Sequence, residues 1–124
     1  MKKLIVILGV IALALGLAAC GSNQNSAPSP SAAPDPNAQQ VKIEATNWQF
    51  NQPEYHVKKG QPVTITFDSK QGMHSATLKD FNVKLDTNNK TATFTPDKAG
   101  SFEIRCMIPC GQGHANMVSK LVVD

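Results

Sequence analysis

The chain has 124 residues and very little of what would carry it through a membrane. Its one long apolar run, Leu4 to Ala19, is sixteen residues, short of the roughly 20 that cross a bilayer as a helix. A clustered basic face is missing too. Twelve Lys and Arg stand against nine Asp and Glu, a net +3; without Lys2 and Lys3 ten face nine, a net +1. That balance gives no case for nucleic acid, which would need a clustered basic face. No nucleophile beside a base, no acid–base pair and no open metal position indicates that the chain turns over a substrate by itself.

What is present begins with an address. Lys2 and Lys3 ahead of the apolar run make residues 1–19 an export signal. The run ends in Leu17-Ala18-Ala19-Cys20-Gly21, which resembles the lipobox of bacterial lipoproteins. The resemblance implies cleavage before Cys20 and a diacylglycerol on its sulfur. An uncleaved N-terminal anchor is the alternative; both place the remainder at the extracytoplasmic face of a bacterial cell membrane. Residues 20–40 follow as a lipidated cysteine and linker. From Gly21 to Gln40 no residue is aromatic or aliphatic beyond alanine, and Pro28, Pro30, Pro34 and Pro36 alternate with Ser, Ala and Asn. Such a composition buries too little to offset its ordering entropy. Twenty residues reach roughly 25 Å as a coil and about 60 Å as polyproline helix.

From Val41 to Asp124 the pattern becomes period two, the signature of half-buried strands. Val41, Ile43 and Ala45 share a face, as do Val63, Ile65 and Phe67, with Thr64 and Thr66 opposite. Phe81, Val83 and Leu85 repeat the alternation, as do Ala92 with Phe94, Phe102 with Ile104 and Cys106, and Met117 with Ser119, Leu121 and Val123. Turn residues separate the runs at Lys59-Gly60, Gln71-Gly72, Thr87-Asn88-Asn89 and Asp97–Gly100. About seven short strands without helical periodicity predict an all-β, antiparallel sandwich.

The chemistry is concentrated in twelve residues, Cys106 to Met117, spaced Cys-x3-Cys-x3-His-x2-Met. Thiolate, imidazole and thioether form a soft-to-borderline donor set that suits copper better than magnesium, calcium or manganese. His74 opens the run His74-Ser75-Ala76-Thr77-Leu78, and alternation turns it inward with Ala76 and Leu78. An isolated inward histidine is ordinarily a core residue; here the loop lacks a second imidazole, and His74 completes the set. His56 sits among charged and polar neighbours and reads as a surface residue. A single copper takes His2Cys with a long axial Met, which His74, Cys110, His114 and Met117 already supply. Cys106 is then left over, unless both thiolates bridge two ions in a dinuclear Cu2S2 centre. Tetrahedral Zn2+ on two Cys and two His is a further possibility, though it leaves Met117 without a role. A disulfide between Cys106 and Cys110 suits an exported protein, yet it leaves both His114 and Met117 unexplained.

The motif Cys106-x3-Cys110-Gly111-x-Gly113-His114-x2-Met117 resembles the CuA motif of cytochrome c oxidase subunit II, shared with nitrous oxide reductases. Gly72-Met73-His74-Ser75 is similar to the family's segment around its first histidine. Ala99-Gly100-Ser101-Phe102-Glu103-Ile104 resembles the strand leading to its first cysteine, and Asn47-Trp48-Gln49-Phe50 its aromatic entrance strand. The resemblance covers residues 41–124 and implies a cupredoxin-like Greek-key β-sandwich holding two copper ions. Carried over, Cys106 and Cys110 bridge the coppers, His74 and His114 are terminal ligands, Met117 is one weak axial ligand and the Ile108 carbonyl the other. The family usually has a polar residue at Ile108, but a main-chain donor survives that change. Trp48 is implied as part of an electron-entrance surface, with core packing as its alternative role. Met73 and Met107 are expected to shield the site, and Arg105 either tunes it or is a solvated charge.

Subunit II normally carries transmembrane helices, and this sequence offers a lipid tether instead. The expected function is single-electron transfer in a respiratory chain. A cytochrome c or other redox donor would stand on one side, and a haem–copper oxidase or related reductase on the other. The chain could be a free carrier or the electron-entrance subunit of an oxidase. A copper chaperone or storage protein delivering copper to an oxidase, and a mononuclear cupredoxin, are the competing readings.

Overall fold

The computed structural model describes residues 35–124. The export signal, Cys20 and the linker up to Pro34 therefore lie outside the described residues. Among those described, no helix is long and apolar enough to cross a membrane.

Among the described residues, nine strands form two sheets packed face to face. They are β1 (Gln39–Thr46), β2 (Gln49–Phe50), β3 (Glu54–Val57), β4 (Val63–Ser69), β5 (Ala76–Leu78), β6 (Val83–Leu85), β7 (Thr91–Phe94), β8 (Gly100–Arg105) and β9 (Val118–Val123). One sheet has the order β2-β1-β4-β7, the other β3-β9-β8-β5-β6. The architecture is all-β and that of a cupredoxin-like Greek-key sandwich. Strand β1 begins two residues inside the segment read from composition as linker, because Gln39 and Gln40 pair with Val63 and Thr64.

Alternation along the chain becomes burial. Val41, Ile43 and Ala45 of β1 face Val63, Ile65 and Phe67 of β4 inward, and Leu121 and Val123 of β9 close the core from the opposite sheet. The hydroxyl of Thr64, fully buried although it alternates with the core residues, lies 2.8 Å from that of Thr93 on β7. Phe81, in a single 3-10 turn between β5 and β6, stacks on Phe94 at 4.6 Å and meets Phe102 edge-on at 4.8 Å.

The sheets are mixed, which corrects the antiparallel expectation. β1 runs parallel to β4, and β3 parallel to β9. Parallel neighbours need a crossover rather than a hairpin. Here the chain supplies it by leaving β1 through β2, crossing to the other sheet as β3, and returning as β4.

Four strand ends converge at one pole. β1 stops at Thr46 and β8 at Arg105, while β5 starts just after Ser75 and β9 just after Met117. In the β8–β9 register Arg105 pairs with Val118 at this pole and Gly100 with Val123 at the other. Everything chemically distinctive in the described residues gathers at the first pole.

The sandwich depends on its central aromatic. Phe67 is 1% exposed, and truncating such a side chain removes its transfer energy and leaves a cavity. Phe67→Ala is expected to lower the unfolding free energy by about 3–5 kcal/mol, read from the midpoint of urea denaturation at unchanged m-value.

Candidate metal centre

The loop from Cys106 to Met117 is closed at its base by a backbone bond, Cys106 N–H to the Met117 carbonyl at 3.2 Å. Inside it the chain winds tightly: His114 N–H donates to the Gly111 carbonyl at 3.2 Å, Asn116 to Gly113 at 3.0 Å and Met117 to His114 at 3.2 Å. This single 3-10 turn over His114–Asn116 brings His114 and Met117 back toward the two cysteines. Arg105 stiffens the loop from outside. Its guanidinium grips Glu103 with Nε at 2.7 Å and Nη2 at 2.9 Å, while Nη1 reaches the Ala115 carbonyl at 3.3 Å.

The donors meet around the sulfurs. Both thiols are free, with Cys106 buried and Cys110 half-buried. Their Sγ atoms are 3.6 Å apart, well beyond the about 2.05 Å of a disulfide. A ring nitrogen of His74 and the two sulfurs all lie within 4.8 Å of one another. His114 Nδ1 is 3.4 Å from Cys110 Sγ, and Met117 Sδ is 4.0 Å from it. The Ile108 carbonyl is 3.5 Å from Cys106 Sγ. All six residues singled out as ligands thus sit at one place.

Two features show that the cluster fits a metal. His74 is fully buried, and its Nδ1 has no hydrogen-bond partner, a costly arrangement for a polar atom unless something else engages it. The donor types are those that soft and borderline transition metals select. Copper would be held by Cys106, Cys110, His74 and His114, with Met117 and the Ile108 carbonyl as weaker donors.

Ser75 also belongs to the site, and the sequence pattern did not single it out. Its N–H points at Cys106 Sγ at 3.5 Å, and its hydroxyl stands 3.9 Å from the same sulfur. The hydroxyl oxygen accepts from Met107 N–H at 2.9 Å, lacing the His74 segment to the cysteine loop. The following residue's position after a ligand histidine was the available signal, but a serine there reads equally well as strand.

Trp48 is not a core residue. It is 36% exposed and donates its indole N–H to the Cys110 carbonyl at 2.7 Å. Met73 and Met107, expected to shield the site, are 69% and 43% exposed and stand largely in solvent; the cover over the loop is the indole. His56 is at the surface on β3, 3.4 Å from Asp124 and 3.8 Å from Glu54.

No protein-family model matches the chain. A sequence relative is the alternative cytochrome c oxidase subunit 2 of Bradyrhizobium diazoefficiens, 28% identical over 72 residues, which are 56% of this chain and 26% of that protein. The match therefore spans about a quarter of the relative's length. Among solved structures, the periplasmic domain of subunit II of cytochrome oxidase from Bradyrhizobium japonicum superposes with a TM-score of 0.63 at 19% identity, over 80% of this chain and 88% of that one. Auracyanin A, a blue copper protein of Chloroflexus aurantiacus, gives 0.54 at 24% identity over 68% and 98%. These likenesses establish the fold, a cupredoxin-like sandwich related in structure to the oxidase subunit II domain.

Burial, with the neighbouring Cys106 thiol adding to it, pushes the Cys110 thiol up to about 11. A raised thiol is protonated at neutral pH, so metal uptake must displace protons and strengthens as pH rises. In the metal-free protein, alkylation of Cys110 by iodoacetamide is expected to be slow at pH 7 and to climb with pH toward about 11. Peptide mapping of the labelled cysteine checks this; fast labelling at pH 7 contradicts it.

Proposed function

We propose that the chain is an extracytoplasmic, lipid-tethered electron carrier whose Cys106–Met117 loop and His74 hold a dinuclear copper centre of the CuA type. The observation that carries this reading is the pair of unbonded thiols 3.6 Å apart with four further donors around them. A single copper uses one cysteine, two histidines and a methionine; this pole offers a second thiol and a carbonyl beyond that set. When bound, the copper pair supplies a one-electron couple with its charge change divided between two ions.

The protein's own part is to hold the donors still. The backbone bond between Cys106 and Met117 fixes the ends of the loop, and the rigid ends of β5, β8 and β9 fix the directions from which donors arrive. Ser75 directs hydrogen-bond donors at Cys106 Sγ. Cys106, Met117 and His74 are inaccessible to water, which limits solvent rearrangement around them. Trp48 is half-exposed and bonded to the Cys110 carbonyl, so it links the solvent-facing surface to the main chain of a ligand residue; we assign it the electron-entrance role. Donor and acceptor are a cytochrome c or similar redox protein and a haem–copper oxidase or related reductase. Tethering through Cys20 and the proline-rich linker suits a domain that visits such partners. A stable place as oxidase subunit would show as co-purification with a haem–copper subunit.

Copper-loaded protein is expected to be purple, to contain two coppers per chain and to give a seven-line hyperfine pattern in electron paramagnetic resonance. One copper with a four-line signal marks a mononuclear cupredoxin instead, and colourless Cu(I) that resists oxidation marks a chaperone. Cys106→Ser tests the second thiolate directly: the seven-line pattern is expected to vanish, with at most one copper retained. A spectrum indifferent to that substitution rules out bridging by Cys106.

A further inference from the structure

The turn between β1 and β2 belongs to the sheet that carries no ligand, yet it touches both ligand-bearing segments. Asn47 Oδ1 lies 3.4 Å from His74 Nε2. The next residue, Trp48, donates its indole N–H to the Cys110 carbonyl at 2.7 Å. The Trp48 approach is close enough to demand glycine on the opposite side, and the Asn47 approach leaves little room for a side chain at Gly72. A Cβ on Gly72, itself at φ +72°, would stand 3.0 Å from Asn47 Oδ1 and 3.2 Å from His74 Nε2. One on Gly113 would fall 2.4 Å from Trp48 Cβ and 2.5 Å from its Cγ, and one on Gly111 would fall 2.8 Å from the indole nitrogen. Gly113 has an ordinary φ of −91°, so contact with the indole, not backbone conformation, is what requires a missing side chain there.

We propose that the Asn47–Trp48 turn is a positioning latch for the metal centre. Asn47 holds His74 in the tautomer that leaves Nδ1 free as a donor, and Trp48 pins the Cys110–His114 segment against the sandwich. The tautomer follows from satisfaction of the two ring nitrogens. A proton on Nδ1 would be a buried donor without an acceptor, because that atom has no partner, and an unmet buried donor bears its whole desolvation penalty. A proton on Nε2 has Asn47 Oδ1 to receive it. The ring nitrogen left bare is then Nδ1, the one without a partner. Trp48 acts on the other half of the site. Its bond is to the carbonyl of a ligand residue, and its ring fills the space over Gly111 and Gly113, so His114 and Cys110 are carried on a segment that cannot lift without losing both. Partners that orient a ligand in this way are typically worth about 10–100-fold in metal affinity.

The proposal rests on the reading of this pole as a metal site, but not on which metal or how many. Its first test accordingly uses metal-free protein. Long-range nitrogen–proton NMR of the 15N-labelled chain reports the His74 tautomer: Nε2–H is expected in the wild type, lost in Asn47→Ala, and restored in Asn47→Asp, which keeps an oxygen acceptor. Nδ1–H in the wild type overturns the proposal, as does a tautomer indifferent to Asn47→Ala or not rescued by Asp. The second test is affinity by chelator competition, with Cu(I) and separately with Zn2+. Asn47→Ala and Trp48→Phe, the latter keeping a ring over Gly113 without the N–H, are expected to bind about 10–100-fold more weakly while the metal-free proteins remain folded, Asn47→Ala at a lower unfolding temperature for the buried donor it leaves unmet. Affinities within twofold of wild type overturn the latch. A protein that binds Zn2+ but never forms the copper pair would sink the proposed function and leave the latch to be judged by its own two readouts.

Discussion

The centre depends on one constraint: two thiols must be held 3.6 Å apart, unbonded, in a place from which water is largely excluded. Left to a flexible loop, neighbouring thiols in an oxidising compartment collapse into a disulfide. The bond from Cys106 N–H to the Met117 carbonyl prevents the loop from relaxing. It joins the end of β8 to the start of β9, so the loop inherits the rigidity of a strand pair six residues long. Ser75 then anchors Cys106 from β5's side, and Arg105 anchors the far turn through Ala115. Each proposed ligand is therefore tied to sheet, and the sheet to the core around Phe67, Ile43 and Leu121.

The same arrangement gives the molecule a direction. The proposed ligands sit where β5 and β9 begin and β8 ends, and β1 runs toward them, from Gln39 to Thr46. Its start lies at the opposite pole, where Gln39 Oε1 accepts from Lys58 N–H and Lys59 N–H donates to the Asp124 carbonyl. Eight strand residues at about 3.3 Å each separate the two ends by roughly 26 Å. In the proposed tethered arrangement, the linker thus leaves from the pole farthest from the metal, and the half-exposed indole faces whatever approaches from the other side.

Much of this was legible in the sequence because two different periodicities happen to be short-range. Period two identified the inward faces of β1, β4, β6, β7, β8 and β9, and the three- and four-residue spacings of Cys106, Cys110, His114 and Met117 identified one loop. The pairing of β1 with β4 and β3 with β9 was not legible, since alternation does not encode strand direction. β3 itself escaped notice: Tyr55 and Val57 alternate with Glu54 and His56, but four residues give too few repeats to separate a strand from chance. Asn47 and Ser75 escaped for another reason. Neither is a ligand type, and each acts on a residue 27 or 31 positions away, a distance that no local pattern spans.

A cluster of donors of this kind has a physical cost in the absence of metal, and the cost explains its construction. A buried imidazole nitrogen without a partner is disfavoured relative to an unfolded chain that exposes it to water, and a thiol pushed up to about 11 becomes so once pH climbs above its unfolded value. For the thiol the sign is definite: a raised folded-state pKa means that stability falls as pH rises above the unfolded value and the unfolded chain ionises first. A metal cation reverses both terms, taking the lone pair and stabilising the thiolates, so its binding energy is also folding energy. The loop must remain nearly in place before that energy arrives, otherwise the ordering entropy of twelve residues would be charged against binding. Closure at the loop base, the grip of Arg105 and the indole over Gly111 and Gly113 carry that ordering in advance. The sandwich supplies stability enough to hold an unfavourable cluster open, and the cluster is unfavourable in the way that a soft metal corrects.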